Sequence, residues 1–254
     1  MEEKTEEVFD LKRFLDATHP LLETFRKVAP GTFAHSNNVA GLCEAVALDL
    51  GLNADIMSVI GRYHDIGKMN MPEAFSENQN GKNIHNDLDP LISYQIITRH
   101  IGDTAVILLN EPDFPRILIE MITQHHGDTV LRFFANKSKT GVDDIFRYKC
   151  KRPQTIESAV LMICDSVEAT ARSMASNGKL ETTESKKSLI NSTINRLMDD
   201  DQLDDVKVGD LKKIRKVLYK EIENRYHKRE LYGGEDKDLD DEDNLRIVDN
   251  EKDE

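Results

Sequence analysis

The sequence is short of cysteine, of long apolar runs and of positive charge, and each shortage excludes a class of protein. Only Cys43, Cys150 and Cys164 occur in 254 residues, and no two form a CxxC pair. A sparse, odd count argues for reduced thiols in a cytoplasmic setting rather than a disulfide framework. Each of the three reads as core packing. No apolar run approaches the roughly 20 residues of a transmembrane helix, and no basic-then-apolar start resembles a signal peptide. The chain is therefore expected to be soluble and cytoplasmic, with no membrane segment of its own. Its net charge of -13 argues against a polymeric nucleic acid as partner. It leaves room for a small anionic ligand, because bound metal ions and a few local bases can make one cleft positive. Alternating strand-like runs are scarce, and no internal repeat is visible.

What is present is helical periodicity. Hydrophobic residues make up 39% of the chain and charged residues 32%, a globular balance. Val39, Leu42, Cys43, Val46 and Leu50 recur at helical spacing, as do Ile56, Val59, Ile60 and Tyr63. Ile117, Met121 and Ile122 follow Pro115, which suits a first turn. Val160, Ile163, Val167 and Met174 mark another helix, and Leu211, Ile214, Val217, Leu218 and Ile222 a late one. The expected fold is an all-α helical bundle. Residues 1–19 read as a lead-in helix or linker, and 20–232 as the folded body, with C-terminal helices from about 180. Residues 233–254 read as a disordered acidic tail behind the Gly233-Gly234 hinge. From Glu235 onward the tail has eleven acids and three bases, so it carries -8 of the net -13. Most of the acidity therefore says nothing about a site in the body.

Five of the eight histidines stand where packing alone does not explain them. His64 and Asp65 are adjacent in Tyr63-His64-Asp65-Ile66-Gly67-Lys68. His125 and His126 are adjacent in Gln124-His125-His126-Gly127, and His100 precedes Ile101-Gly102. A glycine follows each, which reads as a helix stop. The imidazoles are thus expected in last helical turns, where the helix dipole favours cations. Imidazole and carboxylate together suit transition metals. A carboxylate next to a histidine can bridge two ions, and two ions about 3.5–4 Å apart can hold a hydroxide for attack on phosphorus. A lone histidine would be read as a core or surface residue; two doublets before glycines are not. His19 and His227 show no such context and are expected on the surface. His35 is the fifth histidine, and its case rests on a longer pattern.

That pattern is a family resemblance. His64-Asp65 is similar to the doublet that names the HD superfamily. Ala29-Pro-Gly-Thr-Phe-Ala-His35-Ser, Tyr63-His-Asp-Ile-Gly-Lys68, Glu77-Asn-Gln79, Gln124-His-His-Gly127, Phe146-Arg-Tyr148, Asp165-Ser-Val-Glu-Ala169 and Arg172-Ser173 extend the match. Together they resemble the cytoplasmic HD domain of the seven-transmembrane HD family, which includes the PgpH-type cyclic di-AMP phosphodiesterases. The resemblance spans about Leu21 to Met174. It implies a di-metal centre of iron or manganese. His35, His64, Asp65 and Asp165 would bind one ion; Asp65, His100, His125 and His126 would bind the other, with Asp65 bridging. It also implies hydrolysis of cyclic di-AMP to linear pApA by a metal-bridging hydroxide. The GYP segment of the cyclic di-GMP-cleaving group is absent, and Gly127-Asp-Thr-Val130 stands in its place. The membrane part of the family is not in this chain, so its anchoring is not carried over, and Lys179 to Tyr232 shows only generic helical character.

Around the metals, Asp65 and Lys68 are the residues expected to carry catalysis. Lys68 can hold a phosphate oxygen or cap a helix C-terminus. Arg172 can reach a second phosphate or pair with Glu168 at i,i+4. His85, in a polar loop, can contact substrate or donate a proton, or be a loop histidine without a role; Asn78 is similar. Phe75, Phe133, Phe134 and Tyr148 can stack a base or fill the core. Two other readings stay open: an HD hydrolase of another cyclic dinucleotide or nucleotide, and a mixed-valent di-iron oxygenase. The native metal and the oligomeric state are left open.

Overall fold

A computed structural model describes residues 10–79, 81, 83–138 and 141–227. The first nine residues of the expected lead-in, the acidic tail and the His227 side chain lie outside the described residues. The described chain is helical and has no strand beyond an isolated bridge between Val130 and Arg147. Among the described residues ten α-helices run in order: α1 Lys12–Leu15, α2 Pro20–Val28, α3 Pro30–Leu50, α4 Ala54–Tyr63, α5 Pro90–Asn110, α6 Arg116–Ile122, α7 Arg132–Ser138, α8 Ile156–Ser176, α9 Thr183–Asp199 and α10 Val208–His227. None is long and apolar enough to cross a membrane.

Local chemistry starts and stops these helices. Proline opens α2, α3 and α5 at the first turn, where its missing N–H has no intrahelical partner to lose. The side chains of Asn53 and Asp89 accept from Ile56 N and Leu91 N at the heads of α4 and α5. Thr155 with Ser158, and Thr182 with Ser185, form capping boxes on α8 and α9. Gly51 ends α3 in the left-handed conformation at φ 73°.

α3 is the central post, packed on α2, α4, α8 and α10. Its Val39, Leu42, Cys43 and Val46 are buried against Met57, Val59 and Ile60 of α4, Val160, Ile163 and Val167 of α8, and Ile214, Leu218 and Ile222 of α10. Each such side chain contributes about 1.5–3 kcal/mol of burial. Cys43 and Cys164 lie in this core and Cys150 is half-buried, all as free thiols. A smaller cluster of Tyr94, Phe134, Ala135 and Phe146 ties α5 to α7.

Two expectations are corrected. His19 is not a surface residue: it is buried, its Nδ1 accepts from Leu21 N at 3.3 Å, and its ring packs 5.4 Å from Phe14. With Pro20 opening α2, the imidazole caps that helix from below while filling the corner with α1 and α4. Gly102 is not a helix stop, because α5 runs on to Asn110. Buried Ile101, Thr104 and Leu108 keep the helix packed past it, so His100 sits mid-helix rather than in a last turn.

Two glycines hold the His64-Asp65 doublet in place, Gly61 and Gly67. A Cβ at Gly61 would lie 2.7 Å from Ala40 Cα, so glycine lets α4 cross α3 closely. A Cβ at Gly67 would lie 2.2 Å from the His100 carbonyl oxygen, so glycine lets the 3-10 segment Ile66–Asn70 press on α5. His64 and Asp65 are held between these two contacts. Gly61→Ala is expected to lower stability by about 1–3 kcal/mol through overpacking, about 2–4 °C of Tm per kcal/mol in a domain of this size. Gly102→Ala meets nothing within 4 Å and is expected to raise stability by about 0.5–1 kcal/mol. Thermal melts of both variants check the contrast.

Candidate metal centre

Five elements deliver the cluster. α3 carries His35, α5 His100 and α8 Asp165; His64 caps α4, with Asp65 next; and His125 and His126 lie in the turns after α6. The seven side chains form two groups that share Asp65. His35, His64, Asp65 and Asp165 make one, and Asp65, His100, His125 and His126 the other; within each group the ligating atoms lie within 4.8 Å of one another. The two oxygens of Asp65 divide between them. Oδ2 is 3.2 Å from His64 Nε2 and 3.7 Å from His35 Nε2; Oδ1 is 3.4 Å from His100 Nε2 and 3.7 Å from His125 Nε2. This is the arrangement a bridging carboxylate needs.

The donor set fits divalent metal ions on a further observation. His64, His100 and His125 each donate Nδ1–H to the backbone carbonyl three residues back: Gly61 at 2.8 Å, Ile97 at 2.6 Å and Ile122 at 2.6 Å. That hydrogen bond fixes the tautomer and turns the Nε2 lone pair into the cluster. The Nε2 atoms of all three, and Asp65 Oδ1, are buried with no hydrogen-bond partner. Unpaired buried polar atoms are costly; His100 Nε2, His125 Nε2 and Asp65 Oδ1 face one group and His64 Nε2 the other, an arrangement that suits a cation in each. His35 is held differently. Its Nδ1 meets the Glu168 carboxylate, and Asn38 Nδ2 donates to the other oxygen of Glu168 at 3.1 Å.

Electrostatics differ on the two sides. Burial, then the neighbouring His64, pushes His125 down to about 3; His100 and His126 are also lowered, burial first. These imidazoles are therefore neutral, the form that binds metal. Burial opposes a charge on His64, but the Asp65 and Asp165 carboxylates outweigh it and raise the group to about 10. A cation is held there in either case, and a metal ion competes with the proton for the same lone pair.

The cluster floors an open cleft of about 280 Å³ whose walls include Lys68, Phe75, Glu77, Tyr148 and Arg172. Lys68 Nζ lies 2.7 Å from Asp65 Oδ2 and 3.0 Å from Glu77 Oε1, and 4.7 Å from the Phe75 ring centroid. Burial opposes ionisation of Glu77, but Lys68 more than offsets it and takes the carboxyl down to about 2. Arg172 makes the expected i,i+4 approach to Glu168, its Nε 3.6 Å from Oε2, and it also lines the cleft. The Tyr148 ring stacks on His126 at 4.4 Å.

All seven residues expected as ligands come together, and Lys68 and Arg172 line the cleft above them. Asn78 and His85 do not. Asn78 bolts the segment to α3, accepting from Thr32 N at 3.1 Å and donating to Thr32 Oγ1 at 2.8 Å. His85 is buried, its Nε2 pairs with the Ala74 carbonyl at 2.9 Å, and its ring packs on Phe134. Both side chains are taken up by holding the loop in place. Of the candidate stacking aromatics, Phe75 and Tyr148 line the cleft, Phe134 belongs to the small cluster and Phe133 is exposed. Sequence reasoning missed Glu168 as the partner of His35 and Glu77 as the partner of Lys68. For Glu168 the signal was its spacing, three residues after Asp165 and on the same face of α8.

A family model described as HD domain matches residues 32–170, more than half of the chain. The chain belongs to the HD domain family. The cyclic-di-AMP phosphodiesterase PgpH of Listeria monocytogenes is 38% identical over 239 residues, covering 90% of this chain and 32% of that protein. The chain spans about a third of the length of the curated relatives it matches. The crystal structure of the L. monocytogenes PgpH HD domain superposes with a TM-score of 0.77 at 38% identity, covering 83% of this chain and 100% of that one. The same domain in complex with cyclic-di-AMP gives a TM-score of 0.76.

The shared carboxylate of this HD domain makes a measurable difference between variants. The parent is expected to retain about two divalent ions per chain, His35→Ala about one, and Asp65→Ala close to none, because only Asp65 serves both groups. Metal analysis after loading and desalting checks this. Equal, full metal content in both variants would contradict the bridging role.

Proposed function

We propose that this HD domain is a phosphodiesterase that opens one phosphodiester of cyclic di-AMP to give linear pApA. His35, His64, Asp65 and Asp165 hold one divalent ion and Asp65, His100, His125 and His126 a second, iron or manganese in each. The observation that carries this reading is Asp65 standing between two histidine groups under an open cleft with cationic walls. When bound, two such ions supply a nucleophile near neutral pH and stabilise charge on the phosphoryl oxygens. The relatives named PgpH, and the cyclic-di-AMP complex of one of them, support hydrolysis of this substrate over the oxygenase alternative.

The chain's own residues bind and orient the phosphodiester. An ammonium has three donors. Two of those on Lys68 are taken up by Asp65 and Glu77, which fix its position and leave one for a phosphate oxygen. Being already in place, it stabilises developing charge without reorganising. Arg172, 39% exposed and tethered by Glu168, offers its outer guanidinium nitrogens to the second phosphate. Phe75 and Tyr148, held by Lys68 and His126, add aromatic surface to the cleft wall against which a purine can pack. Opening the ring frees one half of the dinucleotide to leave this register, so pApA accumulates before AMP appears.

The test is a chromatographic time course of metal-loaded protein with cyclic di-AMP, cyclic di-GMP and linear pApA. Cyclic di-AMP is expected to disappear fastest, with pApA as product. Lys68→Ala is expected to lose about 10²-fold in kcat at unchanged metal content, the scale of removing one transition-state donor. Faster loss of cyclic di-GMP would overturn the base preference and leave the mechanism standing. No cleavage of any of the three by fully loaded protein would sink the hydrolase reading.

A further inference from the structure

Of the four metal-facing histidines that follow or sit within α4, α5 and α6, one is held unlike the rest. His64, His100 and His125 are each locked by their own helix through the carbonyl three residues back. Among the described residues, neither ring nitrogen of His126 makes a hydrogen bond; Asp165 Oδ2 lies 3.9 Å from Nδ1. Its side chain is also the most exposed of the four, at 23%. Beyond its ring contacts with His100 at 5.2 Å and His125 at 4.0 Å, two neighbours support it: the Tyr148 ring stacked on it and the backbone of Gly127-Asp128 that follows it.

That backbone is clamped by a residue outside the matched HD region. Gln202, in the turn between α9 and α10, is 2% exposed. Its Nε2 donates to Asp128 Oδ1 at 2.6 Å and to the Asp200 carbonyl at 2.7 Å, and its Oε1 accepts from Asp128 N at 3.3 Å. The fit is so close that a Cβ at Gly127 would lie 2.1 Å from Gln202 Oε1, and Gly127 is left-handed at φ 53°. Arg152 reinforces the clamp, donating to Asp128 Oδ1 at 2.9 Å and to the Asp201 carbonyl at 3.2 Å. Arg147, next to Tyr148, donates to the Asp128 carbonyl at 2.9 Å and to Asp200 Oδ1 at 3.1 Å. Both supports of His126, the stacked ring and the following backbone, are thus tied to the same turn.

We infer that Gln202 is a positioning residue for His126, through which the C-terminal helical pair sets the affinity of one of the two metal sites. This rests on the metal-centre reading above. Gln202 touches neither metal nor substrate; it acts by holding Gly127 and Asp128. The His35, His64 and Asp165 side has no contact with it and is expected to be indifferent.

The experiment titrates Mn²⁺ into the metal-free 254-residue chain and reads the number of ions bound and the affinity of each. The parent is expected to bind two. Gln202→Ala, and the isosteric Gln202→Glu that sets a carboxylate against Asp128, are expected to weaken one ion by about 10- to 100-fold, the range for loss of an outer partner. The other ion stays at parent affinity. His126→Ala serves as the reference for which ion is affected. The retained ion reports a folded centre, so global unfolding cannot mimic the result. Should the Gln202 variants fail to fold, Arg152→Ala, 40% exposed, carries the test and must weaken the same ion. Two ions at parent affinity in these variants, or equal weakening of both in folded protein, would overturn the inference. Fewer than two ions in the parent would overturn the metal-centre reading instead.

Discussion

A carboxylate 1% exposed, with one oxygen that no hydrogen bond satisfies, is the constraint around which this fold is built. Removing a charge of that kind from water costs several kcal/mol unless cations surround it. Burial pushes the Asp65 carboxyl up, but His64 and then the Lys68 ammonium more than offset it and hold it well below the usual carboxylate range, while the neutral rings of His100 and His125 close the ring around it. No single helix can supply that ring. α3, α4, α5, α8 and the turns after α6 must converge on one point, and the close crossings at Gly61 and Gly67 exist because Asp65 sits between them. The hydrophobic core around α3 offsets the cost of gathering so many polar groups at the end of a bundle.

The histidines solve a second problem, that of direction. An imidazole has two nitrogens and can present either. Pairing Nδ1 with the carbonyl three residues back uses an acceptor that the end of a helix, or a carbonyl with a lone pair to spare, already offers. The device costs no extra residue and works both at the end of α4 and in the middle of α5. His35 cannot use it, because its Nδ1 faces α8, so Glu168 takes the carbonyl's place and Asn38 holds Glu168. A charged partner makes His35 a stronger donor of its remaining lone pair than a neutral carbonyl would.

Much of this was legible in the sequence, and the parts that were not have a common cause. Periodicity located α3, α4, α6, α8 and α10, and the His-Asp and His-His doublets with the wider motifs located all seven residues of the cluster. Gly102 misled, because a glycine can follow a histidine inside a helix as well as after one, and only the packing of Ile101, Thr104 and Leu108 distinguishes the cases. His19 misled because a capping role depends on which atom faces which N–H. His85 and Asn78 carried polar side chains into a loop beside the site, yet both turned inward to hold that loop. Glu168 and Glu77 were missed because their partners are 133 and 9 positions away: spacing puts Glu168 on the Asp165 face of α8, but which side chain it meets there is set by the packing of α3 on α8. Ligand identity is written in adjacent letters; ligand orientation is written in tertiary contacts.

That difference bears on how the two halves of the centre can be altered. The side formed by His35, His64 and Asp165 rests on the end of α4 and on α3 and α8, two 21-residue helices packed through the middle of the core. Moving those ligands means moving the core, which is close-packed and resists small shifts. The side that ends in His126 rests on a turn, stacked on Tyr148 and tied by Asp128 to the loop between α9 and α10. Its supports outside the core are hydrogen bonds and ring contacts, each hydrogen bond worth about 1 kcal/mol net. Opening such a contact needs no core rearrangement. The centre therefore combines a rigid half, whose geometry is inherited from the bundle, with an adjustable half, whose geometry is set by whatever holds the C-terminal helices.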